Sequence, residues 1–166
     1  MTGRRNATNM STTPALGKKA PDFDLPVVGG GYGENDRLTL ADLKGSKVVL
    51  YFYPKDDTSG CTTEACEFQE RLADFPGKNV FGVSPDAVKS HRKFADKYNL
   101  AFTLLADTET ELCQACGVWA EKSMYGKKYM GVLRTTFVVG PDGVVTHVFE
   151  KVKPQGHAAE IQAAIG

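Results

Sequence analysis

A single α/β domain, with a mixed central sheet and helices on both faces, is the fold predicted by this sequence of 166 residues, and three observations predict it. Lys47 to Tyr53 and Val80 to Val83 are near-continuous apolar runs rich in Val and aromatics, the pattern of strands buried on both sides. Each is followed by apolar residues at spacings of three and four, the helical period. Late in the chain, Thr135 to Val139 and Val144 to Phe149 are β-rich runs joined by Gly140-Pro141-Asp142-Gly143, a strong hairpin signal.

The elements follow in order. Residues 1–19 are dominated by Thr, Asn, Ser, Pro and Gly without hydrophobic period and read as a disordered tail, leaving 20–166 as the domain. Phe23 to Tyr32 alternates weakly and ends in Gly29-Gly30-Gly31, which suits a short strand and a turn. Leu38, Leu40 and Leu43 mark a short connecting element before the central strand at 47–53. Beyond Pro54, Ala65, Phe68, Leu72 and Phe75 predict a helix that stops at Pro76-Gly77. After the strand at Val80, Ser84-Pro85-Asp86 is expected to cap a second helix through Val88, Phe94 and Tyr98. Phe102 to Leu105 is a short strand, and Asp107 opens a short helix with Leu112, Cys113 and Cys116 that Gly117 closes. The hairpin and a last amphipathic helix from Gly156 to Ile165 complete the chain.

Composition excludes several classes. With 42% hydrophobic and 24% charged residues the chain is neither disordered nor fibrous. Its longest apolar run, Val48 to Tyr53, falls far short of the roughly 18 residues that cross a bilayer. The start lacks the apolar core of a signal peptide, so a cytoplasmic location is expected. Lys+Arg and Asp+Glu balance at 20 each, but Arg4, Arg5, Lys18 and Lys19 open the chain without an acid, so acids outnumber bases in the remainder. That body does not suit nucleic acid, which demands clustered positive charge.

Four cysteines without secretory context point to chemistry and not to structural staples. Cys61 falls in the first turn of the helix that follows the central strand, where free backbone N–H groups and the positive end of the helix dipole favour a thiolate, the reactive form. Thr58, three residues earlier, can turn its hydroxyl toward the sulfur and toward an incoming oxygen substrate, and Pro54 can shield the site from water.

Pro54-x-x-x-Thr58-x-x-Cys61 resembles the active-site motif of the peroxiredoxins, and Asp56 to Cys66 resembles their bacterioferritin comigratory protein (PrxQ) subgroup. Gly131 to Phe137 extends the likeness to a later strand, on which the family carries the Arg that completes the site, here Arg134. The resemblance implies a thioredoxin-like fold, hydroperoxide reduction through a Cys61 sulfenic acid, a disulfide with Cys66 as resolving residue, recycling by thioredoxin or a similar dithiol, and no metal or organic cofactor. It also favours a monomer over a dimer. One departure is local: Ser59 stands where the subgroup commonly has Pro, which should loosen the turn before Gly60.

The implied disulfide has a geometric consequence. Five residues along an ideal helix separate two Cα atoms by about 8.6 Å, whereas a disulfide tolerates roughly 7 Å. A Cys61–Cys66 bridge therefore requires the helix from about Thr62 to Phe68 to unwind in every turnover.

Cys113 and Cys116, about 5 Å apart on an ideal helix, are open to three readings: two buried hydrophobes, a secondary redox pair, or an incomplete zinc site. A thiol–disulfide oxidoreductase acting on proteins would carry Cys-x-x-Cys at a helix start, where this chain has Thr58-x-x-Cys61. A redox-gated chaperone or peroxide sensor remains as a second role. Glu64 is either an ion-pair partner for Arg134 or simply a favourable acid in a first helical turn. Lys55, Asp56 and Asp57 read as a solvated loop, and His91, His147 and His157 as scattered surface residues.

Overall fold

A computed structural model describes residues 16–33 and 35–165. The chain runs β1 (Asp24–Val28), β2 (Arg37–Thr39), β3 (Val48–Phe52), α1 (Ser59–Glu70), β4 (Val80–Ser84), α2 (Val88–Tyr98), β5 (Thr103–Ala106), α3 (Glu111–Ala115), β6 (Trp119–Met124), β7 (Lys127–Val132), β8 (Thr135–Val139), β9 (Val145–Phe149) and α4 (His157–Ile165). Seven strands form one sheet in the order β2-β1-β5-β4-β3-β8-β9. The pairs β3–β4 and β4–β5 are parallel and the other pairs antiparallel, so the sheet is mixed as expected.

Strand β3 explains how the core divides. Successive side chains point to opposite faces, and every residue of this strand is buried. Val48, Leu50 and Phe52 enter a cluster with Phe81, Leu112, Cys113, Cys116 and Phe137 on one face. Val49, Tyr51 and Tyr53 enter another with Cys61, Phe68, Phe94, Leu104 and Ile161. Helices α1, α2 and α4 therefore cover the second face and α3 lies on the first. The two cysteine pairs belong to opposite sides of the sheet.

Several boundaries differ from expectation for local reasons. The tail expected over 1–19 lies mostly outside the described residues; of it, Gly17 and Lys18 bond to Val145 across the end of the β8–β9 hairpin. Helix α1 stops at Glu70 and the chain continues through 3-10 turns to Lys78. Ser84 does not cap α2: Ala87 takes that place, while Ser84 Oγ donates to Asp86 Oδ2 at 2.7 Å. Asp107 precedes α3 by four residues and accepts from the Leu112 and Cys113 amides at 3.2 and 2.8 Å.

The hairpin β6–β7 was not foreseen. It forms a separate two-stranded sheet turning at Tyr125-Gly126, both at positive φ (53° and 79°), which matches the twist of tight hairpins. Among the described residues no helix is long and apolar enough to cross a membrane.

Candidate active site

The site lies where β3 and β8 end side by side. Phe52, the last residue of β3, pairs antiparallel with Thr135, the first of β8. The chain leaving β3 through Pro54 into α1 and the chain entering β8 through Arg134 therefore meet at one end of the sheet. Arg134 is placed in the connection between β7 and β8 and not on a strand as expected, because the main chain must turn there from the separate hairpin into the central sheet.

Helix α1 begins at Ser59, with Thr58 as its N-cap. The Thr58 side chain makes no capping bond to the helix, so amides of the first turn stay open toward the site. Its hydroxyl does not reach toward the sulfur as expected. It donates to the Lys55 carbonyl at 2.9 Å, a local bond that ties the helix cap to the preceding loop. Its oxygen keeps lone pairs to accept from another donor. Pro54 is half-buried at the end of β3.

Cys61 is 1% exposed. Arg134 Nη2 donates to its Sγ at 3.0 Å and Nη1 to Glu64 Oε1 at 2.9 Å, so one guanidinium spans the thiol and a buried carboxylate one helical turn apart. Of the two readings of Glu64, the structure shows the ion pair with Arg134, and Glu64 lies beyond the first turn of α1. Burial pushes its carboxyl up to about 7 against the opposing pull of Arg134. Its Oε2 and the Tyr51 hydroxyl are buried and have no hydrogen-bond partner among the described residues. Burial raises the Tyr51 phenol, and the Glu64 and Cys61 charges push it further.

Gly60 was missed as a contributor. A Cβ there would stand 2.9 Å from Arg134 Nη2 and 3.2 Å from Pro154 Cγ. The missing side chain is the space through which the guanidinium reaches the sulfur. Pro154 arrives because the Val152 amide donates to the Arg134 carbonyl at 3.2 Å.

The loop between β3 and α1 is only partly solvated. Asp57 is exposed and holds Lys97 and Tyr98 at 2.9 and 2.7 Å. Asp56 is buried, accepting from the Tyr53 hydroxyl at 2.5 Å and Ser90 at 2.8 Å, with His91 Nδ1 at 2.7 Å. His91, expected on the surface, is therefore a core residue, as is His157, which bonds Thr136 at 2.7 Å. Asp56, Asp86 and His91 bring three possible metal donors together. The His91 nitrogens and both Asp56 oxygens already have protein partners, His91 Nε2 meeting the Leu105 carbonyl at 2.9 Å. The cluster is a hydrogen-bonded tie between the loop and α2.

Cys66 lies on α1 half-buried, its thiol raised first by burial and then by Glu70. All four cysteines are free thiols. Both Cys61 and Cys66 sit within one uninterrupted helix, so the ideal-helix separation applies to them. Cys113 and Cys116 lie in or beside α3, 0% and 2% exposed. Burial, then the Asp107 charge, pushes the Cys116 thiol up to about 12 and the Cys113 thiol higher still.

The AhpC/TSA family model matches residues 16–148. A putative peroxiredoxin bcp of Coxiella burnetii is 49% identical over 148 residues, covering 88% of this chain and 95% of that protein. Among solved structures, a mutant Xylella fastidiosa PrxQ superposes with a TM-score of 0.82 at 36% identity, covering 92% of this chain and 95% of that one. The bacterioferritin comigratory protein of Xanthomonas campestris, whose structure was described for its alkyl peroxide reduction activity, gives 0.76 at 41% identity over 86% and 88% of the two chains. These likenesses run over nearly the whole described fold, which is thioredoxin-like: the chain belongs to the AhpC/TSA family and is a peroxiredoxin of the Bcp and PrxQ type.

Proposed function

We propose that this enzyme reduces hydrogen peroxide and organic hydroperoxides with Cys61 as the peroxidatic residue and Cys66 as the resolving one. The observation that carries the reading is the Arg134 guanidinium 3.0 Å from the Cys61 sulfur at the start of α1. A fixed positive charge there favours the thiolate and also the anion that departs from the O–O bond.

The Cys61 thiolate attacks the terminal peroxide oxygen in line with the O–O bond. The S–O bond forms as the O–O bond breaks, leaving Cys61 sulfenic acid and an alkoxide or hydroxide that takes a proton to become alcohol or water. Thr58 accepts from the peroxide hydroxyl, open amides of the first helical turn donate to the attacked oxygen, and Pro54 limits water. The Cys66 sulfur then attacks the sulfenic sulfur and water departs. Because α1 holds the two residues too far apart for a bond, this step needs local unwinding. Unwinding also relieves the burial that, with Glu70, raises the Cys66 thiol. A dithiol, thioredoxin or one like it, takes up the disulfide by exchange and returns both thiols.

The chemistry needs groups from one chain only, which suits a monomer, and a cycle closed by thiol reduction suits the cytoplasm. Protein thiol–disulfide exchange through Cys113 and Cys116 finds no support, since both sulfurs are out of reach of a partner. The test is stopped-flow reaction of reduced protein with hydrogen peroxide and cumene hydroperoxide. A single-turnover rate that disappears in Cys61→Ser supports the reading, and equal rates in both proteins would refute it.

A further inference from the structure

The hairpin β6–β7 does no work in the chemistry above, yet it is where the molecule leaves its apolar surface exposed. Of seven large apolar side chains exposed among the described residues, five fall between Met124 and Leu133: Met124, Tyr125, Tyr129, Met130 and Leu133, with Tyr125 at 98%. Met124 and Tyr129 lie on one face of the ribbon with Tyr125 at its turn, while Met130 lies on the other; an exposed cluster of aromatic and Met side chains of this kind marks an interaction site.

Its position links it to the reacting sulfur. The base is fixed by buried Val132, paired with Trp119, and by the Leu133 amide donating to the Val118 carbonyl at 2.7 Å. Two residues beyond Val132, Arg134 contacts Cys61. Lys122 pairs with Tyr129, and Met124 with Lys127, so these four share one face. Gly131 makes room for the Lys122 stem, since a Cβ there would stand 3.2 Å from Lys122 Cδ. Burial and then the Arg134 charge lower the Lys122 ammonium.

Charge selects the occupant. The hairpin carries Lys122, Lys127 and Lys128 against Glu121, and exposed Lys151 and Lys153 flank the segment bonded to Arg134. Elsewhere after residue 20 acids outnumber bases. A second copy docking hairpin to hairpin about a two-fold axis would set lysines against lysines. A protein with an acidic rim around an apolar centre fits instead. Resting on the peroxidase reading, we propose that the β6–β7 hairpin is the docking platform for an acidic dithiol protein that reduces the Cys61–Cys66 disulfide. One thiolate of that partner attacks a sulfur of the bridge, forming a mixed disulfide and freeing the other cysteine. Its second thiol displaces the first, so the partner leaves as a disulfide and the enzyme regains two thiols.

Two variants of the full chain test this, M124S/Y129S and K127E, all at exposed positions on that face. The probe is thioredoxin, kept reduced by its reductase and NADPH, with dithiothreitol as a partner-free reductant. Each variant is expected to lose about tenfold or more in kcat/KM for thioredoxin, through KM, with the charge variant less sensitive to salt than the parent. Disulfide formation by hydrogen peroxide and its reduction by dithiothreitol stay unchanged. Thioredoxin kinetics within twofold of the parent would overturn the platform while leaving the peroxidase intact. Loss confined to bulky hydroperoxides would make the hairpin a substrate wall, and loss of self-association in sedimentation would make it a dimer contact; either overturns the proposal. A parent enzyme that dithiothreitol regenerates and thioredoxin does not would refute the recycling step itself and the platform with it.

Discussion

The two cysteine pairs lie on opposite faces of one sheet and show what a thiol needs besides sulfur. Cys61 and Cys113 are equally buried, at 1% and 0%. Cys61 has a guanidinium at 3.0 Å. Cys113 has the Asp107 carboxylate, which grips its amide at 2.8 Å and disfavours a thiolate. Burial and then the Asp107 carboxylate keep Cys113 a thiol; equal burial beside a guanidinium at a helix start is the setting on which the proposed role of Cys61 rests.

The comparison breaks first at the nucleophile. Cys61→Ser is expected to lower the single-turnover peroxide rate by about a thousandfold or more, read by stopped flow, while the thiols of Cys113 and Cys116 stay unoxidised. Arg134→Lys should cost about a hundredfold, because an ammonium cannot fork between Cys61 and Glu64 as the guanidinium does. Gly60→Ala should cost roughly tenfold in the same assay, since the new Cβ pushes the guanidinium off the sulfur.

Stability against pH sharpens the electrostatic side. The Glu64 carboxyl moves from an ordinary 4.5 to about 7 on folding, so the folded protein binds that proton more tightly. The stabilisation is complete below about 4.5 and is lost as pH rises through about 7, on the order of 3 kcal/mol in all. Urea unfolding at pH 5 and pH 8 should show this fall, and Glu64→Gln should flatten it. The smallest effect belongs to the opposite face: Cys113→Ala/Cys116→Ala should keep the peroxide rate within twofold and cost only stability.

Legibility followed the same divide between strong local pattern and distant partnership. Strands β3 and β4 were legible because each is a near-continuous apolar run, β8 and β9 because each is β-rich and a Gly-Pro-Asp-Gly turn joins them, and Cys61 because its position at a helix start is local. The hairpin β6–β7 was not, since most of Glu121 to Met130 is exposed and no apolar alternation marks it. Gly126 in the turn was its one signal. Asp56 gave no local hint, as Ser90 and His91 stand more than thirty residues away. His91 could have been placed by period, because it lies three residues from Val88 and Phe94 on the buried stripe of α2. Gly60 was noticed only as a turn, because the Arg134 that needs its space comes from another strand connection.

The central claim is that Cys61 reacts and Cys66 resolves while the second pair stands aside. One equivalent of hydrogen peroxide is added to the fully reduced protein, the remaining thiols are alkylated within seconds, and the peptides are mapped by mass spectrometry. Two thiols lost, a Cys61–Cys66 bridge, and Cys113 and Cys116 recovered as free thiols after unfolding is the predicted result. A bridge from Cys61 to Cys113 or Cys116, or no rapid thiol loss, would contradict it.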